Sequence, residues 1–223
     1  YFDLYFIGRP LNVMSALFGS ALRTLSGEFL AKGIEQCKRP VRTLQLYEME
    51  ACPYCRKVRE ALSTLDLDVE VYPCPVPSLQ GDDYAGRFRP RVADEQGKTK
   101  VPVLVDDGRT IRGSEEIVEH LWTKYGAEAI APWNYNFARR IDRTPLFHLP
   151  LLMRLRPSCG LLRAPSREPE KPLVLWGFEP SPFVKIVREA LCILELPYLR
   201  IHAPHGSTEK RRRFLELYGS KMR

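Results

Sequence analysis

Cys52-Pro53-Tyr54-Cys55 is the stretch of this chain best equipped for chemistry. Two thiols separated by two residues can exchange disulfides, supply half of a zinc site, or close a static disulfide. Thiol exchange needs one cysteine as thiolate and a second able to attack the mixed disulfide formed on the first. A helix N-terminus favours that thiolate, through the positive end of the dipole and free backbone N–H groups. Arg56 and Lys57 add positive charge beside it. Zinc needs a second ligand pair at suitable spacing. Cys74, Cys159 and Cys192 stand singly, and His120, His148, His202 and His205 form no metal-type pair, so no metal is expected. A motif inherited but no longer used is the alternative to redox chemistry at Cys52.

The flanks supply what such a site requires. Thr43-Leu44-Gln45-Leu46-Tyr47 alternates and has β propensity, which predicts a strand. Arg56 to Leu65 places Val58, Ala61, Leu62 and Leu65 on one helical stripe, and Pro53 suits the first helical turn.

With Lys100-Val101-Pro102-Val103-Leu104-Val105-Asp106-Asp107 and Gly113-Ser114-Glu115-Glu116-Ile117-Val118-Glu119-His120-Leu121 following in order, the region from Thr43 to Gly126 resembles a glutaredoxin. It equally resembles the thioredoxin-fold N-terminal domain of a glutathione S-transferase. The resemblance implies an α/β thioredoxin-like fold: strand, helix, strand, helix, a two-strand hairpin and a final helix, with a four-stranded mixed sheet. It implies Cys52 as nucleophile, Cys55 as resolving thiol, and Tyr54 beside glutathione. Val101 would meet the cysteinyl part of glutathione through its backbone, with Pro102 cis. Ser114 and Glu115 would receive the γ-glutamyl end at a helix start, which suits a carboxylate; Ser114 also reads as a plain N-cap. One departure stands out. Many glutaredoxins place a lysine three residues before the nucleophile, whereas this chain has Met49 there and Glu50 after it. A carboxylate at Glu50 would oppose the Cys52 thiolate.

Displacing the chain by 129 positions lays Ser181-Pro182-Phe183-Val184 onto the Cys52 motif and repeats Val-Arg-Glu-Ala-Leu letter for letter, at 58–62 and 187–191. Residues 172–223 therefore read as a second, C-terminally incomplete copy of the same unit. Ser181 takes the place of Cys52, as in serine-type glutathione transferases, or belongs to a degenerate copy kept for packing. The copy ends before its Val-Pro strand, from which a continuation beyond Arg223 is expected.

Four segments result: an arm over 1–40, the domain over 41–126, a proline-rich linker over 127–171 read as irregular with a helical turn or two, and the partial copy over 172–223. In the arm, Leu11, Met14, Phe18, Leu22, Leu25 and Phe29 predict an amphipathic helix from Pro10 to Lys32. It either packs on its own domain or docks a partner or membrane surface over residues 1–32. The linker is too short for the helical domain of a conventional transferase, which argues against conjugation of bulky electrophiles.

The net charge of +7 and pI near 9.2 favour anionic partners. No recognition motif supports nucleic acid or a nucleotide cofactor. Six cysteines without a regular framework point to a reducing compartment. The order CPYC then SPF resembles proteins of plastids and cyanobacteria, which implies a chloroplast location, in the stroma or at the thylakoid. Two functions follow: a glutathione-dependent thiol–disulfide oxidoreductase or glutathione-binding protein, or a non-catalytic thioredoxin-like accessory subunit of a larger complex, at the thylakoid membrane if the resemblance holds.

Overall fold

The computed structural model describes residues 9–76, 86–144, 148 and 166–219. Strand β1 (Leu44–Glu48) leads into helix α2 (Pro53–Thr64), which returns the chain to β2 (Val69–Pro73), parallel to β1. Before them lies α1 (Arg9–Ala21). A short 3-10 helix (Arg89–Val92) precedes β3 (Val103–Asp106) and β4 (Arg109–Arg112). These two strands form a hairpin across Asp107-Gly108, both with positive φ, the turn whose twist matches paired strands. The second helix predicted for this domain falls partly on 77–85, outside the described residues. Helix α3 (Ser114–Tyr125) closes the unit and packs on α2. The core between sheet and helices is apolar: Leu44, Leu46, Val58, Leu62, Val71, Leu104, Ile117 and Leu121.

Two further elements follow α4 (Trp133–Ile141): a strand–helix–strand of β5 (Leu173–Gly177), α5 (Pro182–Ile193) and β6 (Tyr198–His202), and then α6 (Thr208–Tyr218). The expected four strands are therefore part of a six-stranded sheet, in the order β4-β3-β1-β2-β6-β5. The join is antiparallel pairing of β6 with β2, which occupies the edge that a free-standing unit would expose. The two parallel pairs share one register at the 129-residue offset: Leu44 faces Val69, and Leu173 faces Tyr198. At the join Glu70 faces Leu199, its own counterpart, so a local two-fold axis passes through that pair.

Two expectations change. The arm helix ends at Ala21 rather than Lys32, because Thr24 and Leu25 take left-handed backbone and Gly27 comes within contact of Glu179 and Ser63. Its small residues Ala16 and Ser20 are buried, whereas Leu11, Met14 and Phe18 are exposed. Close helix packing against α5 selects the small face, so the predicted apolar stripe points outward. The proline-rich segment also opens with a nine-residue helix, α4, which buries Tyr135 and Ala138; the Tyr135 hydroxyl accepts from Trp122 Nε1 at 2.8 Å. No helix among the described residues is long and apolar enough to cross a membrane.

Arg23 pins arm, domain and α4 together. Its buried guanidinium donates to Glu60 Oε1 and Oε2 at 3.1 and 2.6 Å, to the Ala138 carbonyl at 3.2 Å, and to Asp142. Removing one partner of a buried ion pair leaves an uncompensated charge. Arg23→Met should lower the free energy of unfolding by about 3–5 kcal/mol, read from urea denaturation; a loss under about 1 kcal/mol would refute the pinning role.

Asp106 ends β3 with a buried carboxylate that accepts from His120 Nε2 at 2.7 Å, Lys124 at 2.9 Å and the Tyr125 hydroxyl at 2.9 Å. Burial opposes its ionisation, but the three donors outweigh that and hold its pKa below the usual carboxylate value. A depressed folded pKa contributes stability above the unfolded value, lost as pH falls through the folded one. The stability deficit of Asp106→Asn should therefore be larger at pH 7 than at pH 3. An equal deficit at both pH values would contradict it.

Candidate functional site

The thiol pair sits where β1 hands over to α2. Cys52 is the N-cap of α2 and Pro53 its first residue; the Cys52 sulfur accepts the Cys55 N–H at 3.4 Å. Both cysteines are free thiols, and Cys52 is 7% exposed, Cys55 fully buried. The Cys52 pKa is pulled down to about 6. The largest cause is the hydrogen bond from the Cys55 thiol; burial opposes it, while the Cys55 and Tyr54 N–H groups and the charge of Arg59 support it. Burial pushes Cys55 the other way, well above the ordinary thiol value. The pair is thus split into a thiolate at the mouth of the helix and a protonated thiol beneath it.

The opposition expected from Glu50 is offset because its carboxylate is not free. It is buried, ion-paired to Arg188 at 2.9 Å and 3.5 Å from Arg59. Burial also raises Glu48 to about 7, against the pull of Arg59. These buried charges are what the sequence reading missed. Their signal was present in the repeated Val-Arg-Glu-Ala-Leu, whose Arg59, Glu60, Arg188 and Glu189 are all buried rather than facing water.

The other residues implied by the resemblance gather at the same end of the sheet. The Val101–Pro102 peptide is cis. Val103 faces Tyr47, so Val101 lies two residues beyond, level with the loop that leads to Cys52. The Pro102 carbonyl accepts the Gly113 N–H at 3.4 Å, which ties that turn to the start of α3. There Gly113 is the N-cap and Ser114 the first helical residue, one place later than the N-cap reading. Gly113 has φ +92, and a Cβ there would lie 2.1 Å from Glu116 Oε2, so glycine is required.

Glu115 is held by two cations: Lys57 of α2 at 2.7 Å and Arg139 of α4 at 2.5 Å. The Arg139 hydrogen bond is the main reason its pKa falls to about 2. Tyr54 is half-exposed, with Lys57 Nζ 5.6 Å above its ring and the His148 ring edge-on at 6.3 Å. Ser181 is placed apart from this group. It is the buried N-cap of α5, where its hydroxyl accepts the Val184 N–H at 3.5 Å, and among the described residues it shares no hydrogen bond with Cys52, Pro102 or Ser114. Among the described residues no cluster of His, Cys, Asp or Glu is placed to hold a metal ion.

No curated protein and no solved structure matches this chain. Residues 46–129 match the family model described as glutathione S-transferase, N-terminal domain. That span runs from β1 through α3 and holds both thiols, the cis-proline turn and the start of α3. Part of a six-stranded α/β sheet, the matched span is similar to a glutathione S-transferase N-terminal domain of thioredoxin-like type.

Proposed function

We propose that the chain is a glutathione-dependent thiol–disulfide oxidoreductase whose nucleophile is Cys52 and whose resolving thiol is Cys55. The observation that carries this reading is the split pair: Cys52 lowered to about 6 at the helix start, Cys55 buried and protonated. In a neutral, reducing compartment Cys52 would be mostly thiolate. It attacks one sulfur of a glutathione mixed disulfide, that S–S bond breaks, and the other half leaves as a thiolate. Attack on the glutathionyl sulfur leaves glutathione on Cys52; a second glutathione thiolate then attacks that glutathionyl sulfur, releasing oxidised glutathione and the Cys52 thiolate. Alternatively Cys55 attacks the Cys52 sulfur, glutathione leaves as thiolate, and two glutathione molecules reduce the internal disulfide so formed. The Val101 backbone beside Pro102 and the first turn of α3 would hold the tripeptide. Glu115 would contact its amino group only by sharing a carboxylate that Lys57 and Arg139 already engage.

Residues 172–223 are, on this reading, a shortened copy of the same domain, supported by the common 129-residue register. Ser181 fills the N-cap role that Cys52 has in the first unit, and no cis-proline turn accompanies it among the described residues. Conjugation of bulky electrophiles is not part of the proposal.

A second reading, an accessory subunit held in a larger assembly, is favoured by one observation: Leu11, Met14 and Phe18 project from α1 into solvent. Deleting the arm is an unsuitable test, since Arg23 belongs to the core. Substituting these three residues with Ser should leave the protein folded and release it from native complexes. Unchanged co-sedimentation with those complexes would dismiss the reading.

For the enzyme, Cys52→Ser should abolish glutathione-coupled reduction of a small mixed disulfide, by more than ~100-fold, whereas Cys55→Ser retains deglutathionylation through the one-thiol route. A folded, reduced wild type without activity would sink the proposal. The rate of Cys52 alkylation should climb through a midpoint near pH 6 and level off above it. A midpoint above 8 would show that the thiolate is not stabilised.

A further inference from the structure

A ring of buried charges joins the Cys52 loop to the C-terminal strand–helix–strand. Arg188 of α5 donates to Glu50 from Nε at 2.9 Å and Nη2 at 3.2 Å, and to Glu179 from Nη1 at 2.5 Å and Nη2 at 3.1 Å. Arg59 of α2 donates to Glu179 at 3.1 Å, to the Glu50 carbonyl at 3.4 Å, and to Glu48; its Nη1 lies 3.5 Å from the Glu50 carboxylate. Each arginine therefore touches both glutamates. Glu50 and Glu179 are counterparts at the 129-residue offset, and so are Arg59 and Arg188. Two backbone contacts obey the same two-fold: the Glu50 N–H lies 3.5 Å from Cys192 Sγ, the Glu179 N–H 3.4 Å from Ser63 Oγ. All four charged side chains are 4% exposed or less.

Glu50 stands two residues before Cys52 and Glu179 two before Ser181, so the ring connects the two N-cap loops directly. Arg59 is the cation that favours the Cys52 thiolate, and one of its acceptors, Glu179, belongs to a segment outside the matched domain. The charged and titratable groups packed around this end of α2 come from every neighbour. They are Glu48 of β1, Glu50 of the loop, Cys55, Arg56 and Arg59 of α2, and Glu179, Lys185, Arg188, Cys192, Tyr198 and Arg200 from the C-terminal unit.

We infer that Arg188 and Glu179 are positioning residues for the Cys52 thiolate, acting through Glu50 and Arg59, so that the C-terminal unit is an electrostatic part of the thiol site. This rests on Cys52 being the nucleophile. The physical consequence has opposite signs at the two residues. Without Arg188, Glu50 keeps Arg59, Lys185 and the weaker influence of Arg200 as counter-charges, and negative potential beside the thiol rises. Without the Glu179 carboxylate, Arg59 and Arg188 each lose an acceptor, and positive potential rises. Low dielectric in the interior makes both effects larger than they would be in water.

The test follows alkylation of Cys52 by iodoacetamide against pH in the full chain, read on the Cys52 peptide by mass spectrometry so that other thiols do not interfere. Arg188→Met should raise the midpoint by about one pH unit, and Glu179→Gln should lower it. Arg188→Lys, which restores the charge without the two-pronged geometry, should return most of the way to wild type. Loss of packing alone would move both variants in the same direction, toward an ordinary thiol. Shifts in one common direction, or unchanged midpoints in folded variants, would overturn the inference. If Arg188→Met does not fold, Glu179→Gln decides: a midpoint that fails to fall overturns it. The nucleophile assignment fails separately, through glutathione-coupled activity that survives Cys52→Ser.

Discussion

Antiparallel pairing of β6 with β2 is the contact on which the rest of this molecule depends. It converts what would be an open edge into the middle of a sheet and brings Arg188 of α5 within ion-pair reach of Glu50 in the Cys52 loop. Because Glu70 faces its own counterpart Leu199, the pairing of β2 with β6 is symmetric: Val69 faces Arg200 and Val71 faces Tyr198. A one-residue slip of β6 would turn Tyr198, Arg200 and His202 to the opposite face, which a half-buried strand does not tolerate. The register thus brings Glu50, Arg59, Glu179 and Arg188 to one place. Burial raises Glu48 to about 7, and the remaining four form a ring with two charges of each sign.

Much of the first unit was legible because its signals are local. The Cys52-Pro53 start of α2, the Val101-Pro102 turn and the hairpin before α3 depend on residues within a few positions of one another. The 129-residue correspondence was legible for the same reason, since Val-Arg-Glu-Ala-Leu recurs intact. The way the second unit completes a sheet with the first is a long-range pairing, and no local pattern encodes which edge receives which strand. Helix α4 was hidden by the prolines around it, although Asn134, Tyr135 and Ala138, the residues it buries, stand at helical spacing.

The arm shows why periodicity alone misassigns a face. Leu11, Met14 and Phe18 recur at helical spacing, and such a stripe ordinarily marks the buried side. Here Ala16 and Ser20 face inward because close approach of α1 to α5 leaves no room for larger side chains. The buried charges beside the candidate site were missed in a comparable way. A charge on a helix is read as solvated by default, yet Arg59, Glu60, Arg188 and Glu189 are buried; Arg59 and Arg188 meet Glu50 and Glu179 of the two N-cap loops, and Glu60 meets Arg23 and Arg56.

Val58 and Val187 occupy the same place in the two copies of that pentapeptide and have different fates. Val58 is fully buried beneath α3, whereas Val187 on α5 is 44% exposed. The apolar part of the second unit is thus the less complete of the two, and its hold on the first rests correspondingly more on charge. Isolated buried charges are costly, so such a ring is stable only when all its members are present together. Disrupting either loop therefore exposes the other to an unpaired charge. That mutual dependence is the physical reason a segment with no cysteine at its helix start bears on the chemistry of the one that has two.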